Sequence, residues 1–181
     1  TANITVKSLT ASASASNKVY DGSTAATVSL TLSGVVSGET VTSANSSTFS
    51  DENVASAKTV TVDSITLAGA DKDNYTITAG LTTTADISAK TLTVSLTGTA
   101  SKTYNASTTA TLATSNYSIA GFVGSESASI TQTSGAYDDK HVGTSKTVTV
   151  VLDSDDYTAG SGTSLSNYTL DTGTVTGSIG T

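Results

Sequence analysis

Two groups of acidic residues are placed where a chain could hold a metal ion. Asp71 and Asp73 adjoin Asn74, and Asp153, Asp155 and Asp156 form a second cluster ahead of Asn167. Oxygen ligands crowded into a loop suit a hard cation, so Ca²⁺ is the one cofactor these residues suggest; otherwise none is expected. Their spacing matches no EF-hand loop, and carboxylates in a chain of pI about 4.3 also serve as an ordinary solvated surface. A second chemistry is an intramolecular isopeptide bond. There a lysine amine displaces ammonia from an asparagine amide while a neighbouring carboxylic acid handles the proton. Lys18, Glu39 and Asn74 are residues of the right types, and they recur as Lys102, Glu126 and Asn167. Recurrence is equally expected if the lysines are surface charges and the asparagines set up turns.

Other chemistry is poorly supplied. His141 is the single histidine, in a polar turn, and no G-x-S-x-G elbow presents a serine to it. Cysteine and arginine are absent, which removes thiolate chemistry and metal sites of that kind. An enzyme is therefore not expected. Tyr20, Tyr75, Tyr104 and Tyr168 could stack on sugars, but such rings more often pack at the edge of a β-structure with their hydroxyls bonded.

Any of these groups must be positioned by the chain around it, and that chain is built twice. Lys18-Val19-Tyr20-Asp21-Gly22-Ser23-Thr24 returns as Lys102-Thr103-Tyr104-Asn105-Ala106-Ser107-Thr108. Asp51 and Lys58 return as Asp139 and Lys146, and Asn74-Tyr75-Thr76 as Asn167-Tyr168-Thr169. The offset grows from 84 at the first tyrosine to 88 at the lysine and 93 at the asparagine, so the second copy carries small insertions, expected in loops. Two domains follow, residues 1–88 and 89–181, joined near Ser88-Ala89-Lys90 by a short connection.

Ile, Leu, Val and Phe make up only about a fifth of the residues, but they are set in alternation. Ala26, Val28, Leu30 and Leu32 alternate with polar residues, as do Leu81, Thr83, Ala85 and Ile87, whose counterparts are Gly173, Val175, Gly177 and Ile179. The alternation of Val60 and Val62 with Ile65 and Leu67 slips at Asp63-Ser64, which predicts a β-bulge or short turn. Asp21-Gly22 predicts a tight turn. No helical period persists. The expected class is all-β, two tandem immunoglobulin-like β-sandwich modules. With no proline to blunt strand edges, Lys58 and Lys146, each opening a strand, are expected to guard them.

A formal net charge of −7 with eight dispersed lysines argues against nucleic acid as a partner. No apolar run is long enough for a membrane helix, and no signal peptide opens the chain, which reads as a segment of something longer.

Lys18-Val19-Tyr20-Asp21-Gly22, with Gly69-Ala70-Asp71, Asn74-Tyr75-Thr76 and Ala85-Asp86-Ile87, resembles the YDG-type repeat domains of bacterial surface and secreted adhesins, with the MBG-type modules as relatives. The likeness runs through both copies, the second departing at Asn105-Ala106 and Gly177-Ser178. It implies immunoglobulin-like modules in very long exported proteins, including adhesins of the filamentous-haemagglutinin type, where many copies build a stalk. It implies no catalytic residues. The expectation is an extracellular or cell-surface structural spacer, monomeric, whose partners are the neighbouring repeats of its own chain, with glycans or host and biofilm surfaces engaged elsewhere. The contrary expectation is a glycan- or surface-binding module acting through loops at one end of a sandwich.

Overall fold

A computed structural model describes residues 1–180 and is all-β, with short 3₁₀ turns and no α-helix among them. The chain divides into two compact units, residues 1–88 and the chain from Ala89 onward.

The first unit contains Lys7–Ser8 (β1), Thr10–Ala15 (β2), Lys18–Val19 (β3), Val28–Ser33 (β4), Thr42–Phe49 (β5), Ala55–Ala68 (β6), Tyr75–Thr76 (β7) and Thr82–Ser88 (β8). A four-stranded sheet runs β3-β8-β6-β5, with β2-β4 and β1-β7 as two-stranded pairs. Backbone bonds from Ala26 to Ser47 and from Phe49 to Thr24 stitch the approach to β4 onto β5. The predicted alternation is visible as burial: Val28 is buried while Ser29 and Thr31 are exposed. Leu9, Tyr20, Val28, Phe49, Val60, Val62, Tyr75, Ala85 and Ile87 are the unit's buried apolar residues. The slip at Asp63 is a bulge. Ser46 faces Ser64 and Ser47 faces Val62, leaving Asp63 as the extra residue.

The second unit contains Lys90–Thr91 (β9), Thr93–Leu96 (β10), Thr109–Thr111 (β11), Tyr117–Ala120 (β12), Ala128–Ile130 (β13), Ser134–Tyr137 (β14), Lys146–Leu152 (β15), Tyr157–Ala159 (β16), Tyr168–Thr169 (β17) and Gly173–Gly180 (β18). Its main sheet runs β11-β14-β15-β18, with β10-β12, β13-β16 and the parallel pair β17-β9 beside it. Ala110, Leu112, Ile130, Tyr137, Val148, Val150 and Leu152 centre its core.

The drift in offset has a physical origin. Ser33 pairs with Thr10 in the first unit and Ala120 with Thr93 in the second, so three residues have entered between Tyr104 and that point. The 3₁₀ turn Thr114–Asn116 separates β11 from β12 there. Where β6 continues through its bulge, the second copy breaks into β15, the 3₁₀ turn Ser154–Asp156, and β16. The insertions are turns that interrupt strands.

Lys58 and Lys146 do not guard edges. Strand β6 lies between β5 and β8, and β15 between β14 and β18, so both lysines sit on interior strands, where their role is a different one.

Candidate functional site

Four times among the described residues the chain makes a 3₁₀ turn ending in Asn or Asp, followed by a tyrosine that opens a strand: Lys72–Asn74 before Tyr75, Thr114–Asn116 before Tyr117, Ser154–Asp156 before Tyr157, and Leu165–Asn167 before Tyr168. In two of them the terminal side chain closes its own turn. Asn116 Oδ1 accepts from the Ala113 N–H at 2.9 Å, and Asp156 Oδ2 from the Asp153 N–H at 2.9 Å. Buried Asn116 also donates from Nδ2 to the carbonyls of Thr97 and Thr99, both at 3.2 Å.

Each tyrosine then turns inward and delivers its hydroxyl to a partner. Tyr117 donates to the Gln132 carbonyl at 2.7 Å and Tyr157 to the Asp171 carbonyl at 2.6 Å. Burial first, and nearby carboxylates second, push both phenols up to about 12. Tyr75 donates to the Glu39 carboxylate and accepts from the Val36 N–H at 3.0 Å. Tyr168 repeats this with Glu126 and the Val123 N–H, again at 3.0 Å. The bond to Glu39, with burial behind it, raises the Tyr75 phenol above its usual value. Each clamp ties the strand after the Asn-Tyr motif to a loop more than thirty residues away in sequence.

The crosslink candidates are thereby placed. Glu39 and Glu126 serve as acceptors for the clamp tyrosines. Lys18 bonds Asp21 at 2.8 Å and the carbonyls of Ser23 and Ala25 at 2.6 and 3.1 Å, and Lys102 bonds the Ser107 carbonyl at 2.5 Å. None of these lysine partners is a glutamate or asparagine of its own trio. Asn74 is exposed at a turn end, whereas Asn167 is buried.

Three of the five expected Ca²⁺ ligands have structural work of their own. Asp71 Oδ2 accepts from the Thr40 N–H at 2.8 Å, Asp73 pairs with Lys72 at 2.5 Å, and Asp156 closes the turn that carries Asp155 and begins after Asp153. Among the described residues no group of three or more His, Asp or Glu side chains gathers that could hold a metal ion.

A lysine corner recurs in both units. Lys58 has a side chain only 6% exposed and pairs with Asp51 at 2.5 Å, and Lys146 pairs with Asp139 at 2.5 Å and Asp138 at 3.3 Å. Register shifts between Ala55 and Lys58 and between Lys146 and Val148 mark both places. Ala57 and Ser145, immediately before the lysines, adopt left-handed backbone at φ 49° and 56°. Both copies thus hold a non-glycine residue in a sparsely populated conformation that turns the lysine toward its carboxylate. The lysine bond holds the carboxyls of Asp51 and Asp139 below their usual value and raises the Lys146 amine. Above this corner Lys18 lies 5.4 Å from the Phe49 ring centre, and Lys102 lies 5.3 Å from that of Tyr137.

Two of the four turn-and-tyrosine units, at Tyr117 and Tyr157, escaped sequence reasoning. Their signal was legible: Asn116-Tyr117-Ser118 and Asp156-Tyr157-Thr158 match the pattern of Asn74-Tyr75-Thr76 with one permitted exchange.

What recurs is therefore a set of ties between distant parts of one unit. The model of the YDG domain matches residues 5–85 and again 88–176. The chain belongs to the YDG domain family, in two tandem copies. Searches of curated proteins and of solved structures found no match. In these two YDG domains the motif tyrosine itself behaves differently, Tyr20 being buried and Tyr104 exposed. Among the described residues no helix is long and apolar enough to cross a membrane.

Proposed function

We propose that these YDG domains are structural spacer repeats of a large bacterial cell-surface or secreted adhesin, projecting a distal binding domain away from the cell. The observation that carries this reading is that the polar constellations common to both copies join chain to chain within a unit. The Tyr75–Glu39 and Tyr168–Glu126 clamps and the Lys58–Asp51 and Lys146–Asp139 pairs all have this form. Such ties oppose the pulling apart of a unit. The proposal includes no catalytic activity and no obligatory metal. The acidic balance keeps a long array soluble, and tandem units with separate cores add length without one failure unravelling the next.

On this reading the domains matter for reach and are replaceable by others of similar length. Replacing residues 1–181 in the parent adhesin with two unrelated β-domains should leave adhesion of intact cells unchanged, whereas deleting them should weaken it. Loss of adhesion on replacement as severe as on deletion would reject the spacer role.

A further inference from the structure

The two copies differ in charge at one corner, and the difference is chemically directed. In the first unit the Tyr20 N–H donates to the Ser88 carbonyl at 2.8 Å, and the ring is buried at 4% exposure. Lys18 beside it is neutralised by Asp21. In the second unit the parallel bridge to the closing strand is made by Ala100, so the motif that follows is displaced outward and Tyr104 is 57% exposed. Asn105 stands where Asp21 stood, and Lys102 takes part in none of the ion pairs among the described residues. Lys140 replaces Glu52 in the same alignment. One carboxylate is lost, a second becomes an ammonium, and Asp138 adds a carboxylate where Ser50 stood, which makes this corner two charges more positive than its counterpart, in a chain of net charge −7.

These changes surround a cavity of about 120 Å³. Its floor is Tyr137, with Lys102 and Lys140 among its lining residues, together with Tyr104 and Val142, the last 88% exposed. Asp139 and Lys146 also line the cavity, but Lys146 is paired with Asp139 and Asp138, which leaves Lys102 and Lys140 as the cations available to a ligand. We propose that this cavity binds a carboxylated monosaccharide unit, as found in acidic polysaccharides. The two ammonium groups take the carboxylate, and Tyr104 and Val142 cover the apolar face of the ring. The small volume admits one sugar, so affinity per site is weak and useful binding comes from many sites on a polymer. The proposal is independent of the spacer reading, because a repeat can both extend an array and touch a polysaccharide along its length.

The test is an amide chemical-shift titration of the whole chain with glucuronate, with glucose and acetate as controls. Saturable shifts confined to residues 102–107 and 137–146, with a dissociation constant of about 1–10 mM, are expected, and the first unit should stay silent. Lys102→Gln and Lys140→Glu, both at exposed positions, should each weaken binding at least about tenfold while leaving the unbound spectrum folded. Tyr104→Ala should weaken it severalfold. Absence of saturable shifts overturns the proposal, as does equal binding by Lys102→Gln or an equal response in the first unit. The same pattern with glucose would remove the carboxylate's role, and the same pattern with acetate would mean an adventitious ion only; either result overturns it.

Discussion

Removing two methyl groups from the most enclosed point of each unit gives a quantitative test of the fold. Val60 and Val148 are equivalent and both fully buried, at 0% exposure. Val60 faces Phe49 and Thr83 across its two neighbouring strands, and Val148 faces Tyr137 and Gly177. Valine to alanine deletes roughly two methyl groups at about 0.8 kcal/mol each. Strands held on both sides relax little, so the cavity left behind brings the total to about 2–3 kcal/mol. For domains of this size each kcal/mol lowers the melting temperature by about 4–8 °C, so a fall of roughly 10–20 °C is expected. Differential scanning calorimetry of Val60→Ala and of Val148→Ala should show one transition displaced and the other held, a different one in each variant. A loss under about 1 kcal/mol would show that the site is not enclosed as described. Equal displacement of both transitions would show that the two cores do not melt separately.

Several further outcomes follow from individual bonds. Asp156→Asn should be nearly neutral, because Asn116 makes the same bond in the same turn, whereas Asp156→Ala should cost about 1 kcal/mol in chemical denaturation; adding Ca²⁺ should change neither midpoint. Gly69→Ala should cost more than about 2 kcal/mol by the same assay, since φ is +105° and the new Cβ would lie 2.3 Å from the Thr40 carbonyl oxygen. Stability should fall as pH rises from the ordinary tyrosine value of 10.0 to about 12, because Tyr117 and Tyr157 keep protons in the folded chain that the unfolded chain releases; urea midpoints tracked with phenolate absorbance will check this, and a flat profile in that window would contradict the buried hydroxyls. The intact mass should equal that of the sequence, because Lys18 and Lys102 are engaged away from Glu39, Glu126 and the asparagines; a deficit of one ammonia per copy would show the crosslink instead.

The class of fold was legible because alternation has a direct consequence: a residue every second position lands on one face, as Val28 shows in β4 and Ala85 and Ile87 in β8. The bulge at Asp63 was legible for the same reason, since one extra residue reverses the faces. The roles of Lys58 and Lys146 were not. A lysine that opens an alternating run looks like an exposed edge, and only the pairing order shows strands on both sides of it. The carboxylates Asp71, Asp73 and Asp156 were read as crowded oxygen ligands because a sequence shows their proximity and not the backbone N–H groups or the lysine that they satisfy. The clamp glutamates were found, but for another chemistry. Glu39 and Glu126 recur because a tyrosine hydroxyl needs an acceptor, and that partner lies too far along the chain for spacing to reveal.

Pulling the chain from its two ends in a single-molecule force experiment tests the spacer account most directly. It predicts two separate unfolding events, each releasing roughly 30 nm, from the residues of each unit at about 3.5 Å apiece. Tyr75→Phe should lower the force of one event and Tyr168→Phe that of the other. A smooth extension without discrete events, or one event releasing the whole length, would contradict two mechanically independent repeats.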